Sequence, residues 1–190
     1  MKARVARLML ATLVGTATAA SAVRGGEPDV FNYALSPELA GWMIGAPARL
    51  ATAREIREFT ALTDDAAARR FIENFWAARD DDPRLPGNPV REAVEERAIE
   101  ADRRFTEAGR PGRGTDRGTT YILYGEPAKI DFEPSKLAGE GTLEVWHYPP
   151  GGRSGLDGKK PQRQIRFSLE GEVTKFYVPG HPESRTRDHL

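Results

Sequence analysis

Cysteine is absent from the 190 residues. Its absence excludes disulfides, thiolate catalysis, cysteine-ligated zinc and iron–sulfur clusters. It also excludes attachment through a lipidated N-terminal cysteine. Histidine is scarce, with three residues: His147, and His181 and His189 near the C-terminus, where a zinc site would lack partners. There is no surplus of basic charge. Lys+Arg and Asp+Glu both total 28; three of the cations (Lys2, Arg4, Arg7) lie in the first 22 residues, which hold no acid, leaving 25 against 28, or −3. Nucleic-acid binders normally carry a basic excess, so no nucleic-acid partner is expected. No Gly-x-Ser-x-Gly elbow occurs, and no Ser, His and acid are grouped as a catalytic triad would need. The one long apolar stretch, Leu8 to about Ala20, is diluted by Ala, Thr and Gly and is short of the roughly 20 apolar residues of a membrane span.

That stretch follows the cations Lys2, Arg4 and Arg7 and runs into Ala20-Ser21-Ala22, a small-x-small cleavage pattern. Residues 1–22 therefore read as a signal peptide, and the product as secreted or periplasmic with no membrane span after cleavage. Residues 23–49 form a lead-in segment. Gly25-Gly26-Glu27-Pro28 reads as linker, and Pro37, Gly41, Gly45 and Pro47 allow at most a helical turn near Pro37–Trp42. A single domain is expected over 50–178, with a polar, flexible tail over 179–190.

The first half of the domain reads as helical. Thr52-Ala53-Arg54-Glu55 fits a capping box, in which hydroxyl and carboxylate satisfy free helical N–H groups; it opens a helix to about Leu62. A second helix spans about Asp64 to Arg79, with Phe71, Ile72, Phe75 and Trp76 on its apolar face, and the pair forms an antiparallel hairpin. Asn88 and Pro89 suit the cap and first position of a third helix running to about Ala108, striped by Val90, Val94, Ala98, Ala101 and Phe105. Gly112–Gly118 then reads as a glycine-punctuated turn. Thr119–Tyr124 reads as a strand, apolar on both faces and hence central. Extended segments follow at Ala128–Phe132, Leu143–Tyr148, Gln164–Leu169 and Val173–Val178, the last two joined at Glu170-Gly171. The fold class is α+β: a helical hairpin and third helix packed on a small C-terminal antiparallel sheet, with the Phe71/Phe75/Trp76 helix as its cover.

In order, Phe75-Trp76-Ala77-Ala78-Arg79-Asp80, Asn88, a charged helix ending at Phe105, Gly112-Arg113-Gly114-Thr115-Asp116-Arg117-Gly118, Tyr121-Ile122-Leu123-Tyr124-Gly125-Glu126-Pro127 and Glu144-Val145-Trp146-His147-Tyr148 resemble the bacterial GWxTD domain family over about residues 42–178. The chain departs from the pattern in three places. Arg113 stands where the family has Trp, Asp81 and Asp82 lengthen the acidic cluster, and Pro89 follows Asn88 where an acid is expected. The resemblance implies an exported protein with no assigned reaction. It also implies that Trp76, Arg79, Asp80, Gly118, Tyr124, Gly125, Pro127 and Trp146 form a structural motif.

The candidate binding residues are Arg113, Thr115, Asp116, Arg117 and Glu126. In one reading the glycine turn cradles an anion between backbone N–H groups and the two arginines. In the other, Asp116 closes a local Asx-turn and Arg117 pairs with a carboxylate of the helical hairpin. A phosphate loop would need Lys-Ser/Thr opening a helix, whereas a strand is expected here. Asp80–Asp82 lack the ligand spacing of an EF-hand, so no metal or cofactor is expected. Glu126 and Glu144 are available as carboxylates, with nothing in the sequence to perturb them. These readings favour a non-catalytic secreted module binding an envelope or extracellular protein. The alternative is a cell-envelope hydrolase using Asp116 and Glu126 with Arg113 or Arg117.

Overall fold

A computed structural model describes residues 30–80, 82–84 and 86–180; the expected signal peptide and the tail beyond Gly180 lie outside them. The lead-in segment forms two short helices, α1 (Pro37–Ala40) and α2 (Ala46–Leu50), where one turn is expected. Next come α3 (Ala53–Thr60) and α4 (Asp65–Ala77). Both cap as their sequences require. Glu55 N–H donates to Thr52 Oγ1 at 3.2 Å while Thr52 N–H donates to Glu55 at 2.7 Å, and Ala67 N–H donates to Asp64 at 2.8 Å. Helix α5 (Pro89–Phe105) starts under an Asn88 cap, with Arg91 N–H donating at 2.9 Å. It buries Val94, Ala98, Ala101 and Phe105, the expected stripe, and stops short of Ala108.

The largest correction concerns Thr119–Tyr124. It is not a strand but the body of helix α6 (Asp116–Tyr124), entered from a 3-10 turn at Gly112–Gly114. Thr115 caps it: Gly118 N–H donates to the Thr115 hydroxyl at 3.1 Å. Asp116 occupies the first turn, where the helix dipole favours an acid. Thr119, Ile122 and Leu123 are buried at helical spacing, and the Thr120 hydroxyl donates back to Asp116 O at 2.7 Å. β-propensity reports fit to a pleated surface rather than a backbone preference, so caps and burial override it over nine residues.

The sheet is a meander, β1 (Lys129–Pro134), β2 (Thr142–His147), β3 (Gln164–Glu170) and β4 (Val173–Phe176), antiparallel throughout in the order β1-β2-β3-β4. The register puts Ile130, Trp146 and Ile165 in one row and Phe132, Glu144, Phe167 and Phe176 in the next, all on one face. That face packs on α5 and α6. Phe105 lies 5.4 Å from Trp146 and 5.8 Å from Tyr121. The rings of α4 are not its aromatic cover, contrary to expectation. Phe71, Phe75 and Trp76 instead gather around Trp42 and Phe59, with the Trp42 and Phe75 centroids 4.9 Å apart. Trp146, Phe59, Phe167, Met43 and Ile122 are fully buried, each stabilising the fold by about 1.5–3 kcal/mol.

Candidate functional site

The turn at Gly112–Asp116 is built from contacts directed inward. Thr115 donates its hydroxyl to Gly112 O at 2.8 Å and is itself buried. Asp116 reaches out of the turn: its carboxylate accepts from Phe176 N–H on β4 at 2.7 Å, sixty residues away. Arg117 does not reach the helical hairpin. Its guanidinium donates to Glu107, just beyond α5, at 2.6 Å and to Glu144 on β2 at 3.1 Å. Each carboxylate has a second duty, Glu107 accepting from Thr174 N–H at 2.9 Å and Glu144 from the Trp146 indole at 2.6 Å. Arg117 is thus the hub joining α6 directly to β2 and to the end of α5, and through Glu107 to β4.

Arg113, in the family's Trp position, is half exposed and folds back on α5. Its backbone N–H and Nε each donate to Asp102 at 2.7 Å. The turn is therefore anchored at this position by an ion pair and a backbone bond. Glu126 is held elsewhere, in a two-pronged pair with Arg104 that keeps its carboxyl below the ordinary carboxylate range. Asp116 and Glu126 sit at opposite ends of α6, separated by roughly 12 Å of helical rise. The structure does not bring them together as an acid/base pair.

The remaining motif residues hold the frame. Tyr124 donates to Asp157 and Tyr148 donates to Gly125 O, both at 3.0 Å, and burial raises both phenols well above the ordinary tyrosine range. Pro127 and Trp146 are buried. Asn88, besides capping α5, donates to Trp76 O at 2.7 Å. Asp80 accepts from Asp82 N–H at 3.2 Å, and Asp82 pairs with Arg84. His147 points away from the helices, with Nε2 3.0 Å from Asp131.

Arg79 clamps the N-terminal helices. It grips both Glu55 oxygens at 2.9 Å, donates to Leu50 O and Phe75 O at 2.8 Å, and lies 3.5 Å above the Phe75 ring. The Arg79 bonds, ahead of the Thr52 contacts, lower Glu55 from 4.5 to about 2. A carboxylate depressed on folding stabilises above its unfolded value and loses that contribution as pH falls toward its folded one. Glu55→Gln is accordingly expected to cost about 1–3 kcal/mol at pH 6, discounted for the solvent that the carboxylate still meets. The cost should shrink to near zero between pH 4.5 and 2, as read by urea unfolding of both proteins across that range.

Sequence reasoning missed the asymmetry between the two sheet edges. On β4 the amides of Thr174 and Phe176 point outward, and Glu107 and Asp116 cap both. On β1 the ladder phase, set by Ser135 N–H donating to Gly141 O, turns the Ile130 and Phe132 amides away from β2, toward no partner among the described residues. Phe132 is 71% exposed on this edge, and Leu169, on the same sheet face, is 66% exposed. The visible signal was Pro134 after Lys129 and alternating charge, a composition typical of edge strands.

Fold and site together define an α+β domain whose glycine turn is a junction between helices and sheet. The GWxTD domain family model matches residues 43–166, and the chain belongs to that family. No curated protein matches it. No solved structure matches it.

Proposed function

We propose that this chain is an exported, non-catalytic interaction module that receives an extended segment of a partner protein along the β1 edge, in the periplasm or outside the cell. One observation carries the reading: two carboxylates close the β4 edge while the β1 edge keeps outward amides beside an exposed phenylalanine. An open edge of this kind is the template for strand addition, in which main-chain bonds give affinity and alternate side chains give specificity. The fitting segment carries apolar residues against Ile130 and Phe132 and polar ones beside Asp131 and Glu133. Export is supported by the leader pattern of residues 1–22. The absence of a reaction is supported by the internal engagement of Arg113, Asp116, Arg117 and Glu126.

The test is site-specific photo-crosslinking in the exporting cell. A crosslinker at position 131 on β1 is expected to capture a defined protein, and one at 175 on β4 to capture none. Phe132→Pro removes an outward N–H without costing a ladder bond, so the fold should persist and the adduct should vanish. Equal capture from both edges, or an adduct indifferent to the proline, would refute the reading.

A further inference from the structure

The connection between β2 and β3 carries four cations against one acid on an otherwise acidic domain. Arg153, Lys159, Lys160 and Arg163 are exposed, and none has a hydrogen-bond or ion-pair partner for its side chain among the described residues. Elsewhere cations are mostly neutralised, as Arg79 is by Glu55, Arg104 by Glu126, Arg113 by Asp102 and Arg166 by Glu133. The only acid in the connection, Asp157, faces inward, accepting from the Tyr124 hydroxyl and from Lys159 N–H at 3.0 Å.

The connection is also held in place. Leu156 N–H donates to Leu123 O at the end of α6 at 3.0 Å, Gly155 N–H donates to Lys159 O at 2.7 Å, and Tyr148 N–H donates to Arg163 O at 3.0 Å. At its foot a groove of about 800 Å³ is lined by Pro149, Pro150, Gln162, Arg163 and His147. The acids of the adjoining strand β1 are already satisfied: Asp131 lies against Lys129 and His147, and Glu133 pairs with Arg166.

We propose that this connection docks the domain on an anionic membrane surface. The four cations are spread along eleven residues and do not converge on one point, which suits many diffuse negative charges rather than a single bound anion. No exposed aromatic side chain is interleaved with them, as stacking on nucleic-acid bases would require. No described helix is long and apolar enough to cross a membrane, so the contact is peripheral and governed by salt.

The experiment uses the chain from Val23 onward, which keeps every described residue and removes the apolar leader that would itself partition into lipid. Co-sedimentation with phosphatidylcholine vesicles containing 30% phosphatidylglycerol at ~50 mM salt should exceed that with pure phosphatidylcholine by about tenfold or more, and should collapse near 0.5 M salt. A variant with Arg153→Gln, Lys159→Gln, Lys160→Gln and Arg163→Gln should lose that preference at an unchanged melting temperature. A control carrying Arg57→Gln, Arg70→Gln, Lys136→Gln and Lys175→Gln should keep it. Equal binding to both vesicle types overturns the proposal, as does equal loss in the control. Tight binding to soluble polyphosphate or DNA with none to anionic vesicles also overturns it.

Discussion

Gly118→Ala is expected to cost more than about 4 kcal/mol, lowering the melting temperature by more than about 10 °C or preventing accumulation of folded protein. Helix propensity alone gives the opposite sign, since alanine is better than glycine by about 1 kcal/mol inside a helix. Sterics decide the outcome. A Cβ at position 118 would lie 1.8 Å from Gly112 O and 2.6 Å from its carbonyl carbon. That carbonyl cannot swing aside, because it accepts from both the hydroxyl and the N–H of Thr115. The turn cannot retreat either: a Cβ on Gly112 would lie 1.9 Å from Ala101 O, so backbone already presses on backbone at α5. Gly114→Ala is the control. Its Cβ would meet only Ile44 Cγ2, at 3.4 Å, and the change should stay within about 1 kcal/mol. Thermal melts of the two variants beside the parent give the comparison. A Gly118→Ala protein that melts at or above the parent would show that propensity outweighs the close approach.

The same stretch shows where the sequence was legible and where it was not. Caps whose partners lie within three residues were readable: Thr52 with Glu55, Asp64 with Ala67, and Asn88 with Arg91 all form as their spacing requires. The hairpin at Glu170-Gly171 and the last three strands were readable because alternation and turn chemistry agree locally. Helix α6 was misread because Thr, Tyr and Ile favour strands and because three glycines drew attention to a turn. The correcting signal was present in Thr115-Asp116 as cap and first turn, with Thr119, Ile122 and Leu123 recurring by three and four. What could not be read were the partners of the polar residues. Asp116 bonds a residue sixty positions away, and Arg117 reaches across 27 positions to Glu144. No local rule relates such pairs, so a motif that resembled an anion cradle in sequence is, in the fold, a set of ties between layers. The edge asymmetry was hidden for the same reason, since it depends on where Glu107 and Asp116 end up.

Arg117→Ala is the second large effect expected, about 3–5 kcal/mol, or roughly 6–20 °C in melting temperature. Removing the guanidinium strands Glu107 and Glu144, whose side chains are only 12% and 14% exposed, as desolvated carboxylates without their cation. Both remain pinned by their other bonds, to Thr174 N–H and to the Trp146 indole, so neither can turn to water without freeing a buried donor. Arg117→Lys keeps the charge but not the fork that spans both acids, and should fall between parent and alanine. The decisive variant is the triple change Arg117→Met with Glu107→Gln and Glu144→Gln. The amides keep acceptors for Thr174 and Trp146, the methionine fills space beside Phe105, and no ion is left unpaired. If the cost of Arg117→Ala is the penalty of uncompensated charge, the triple variant should recover more than half of it. Strictly additive losses in the triple variant would instead make Arg117 a packing residue. The link from the start of α6 to β4 would then be carried by the bond from Phe176 N–H to Asp116.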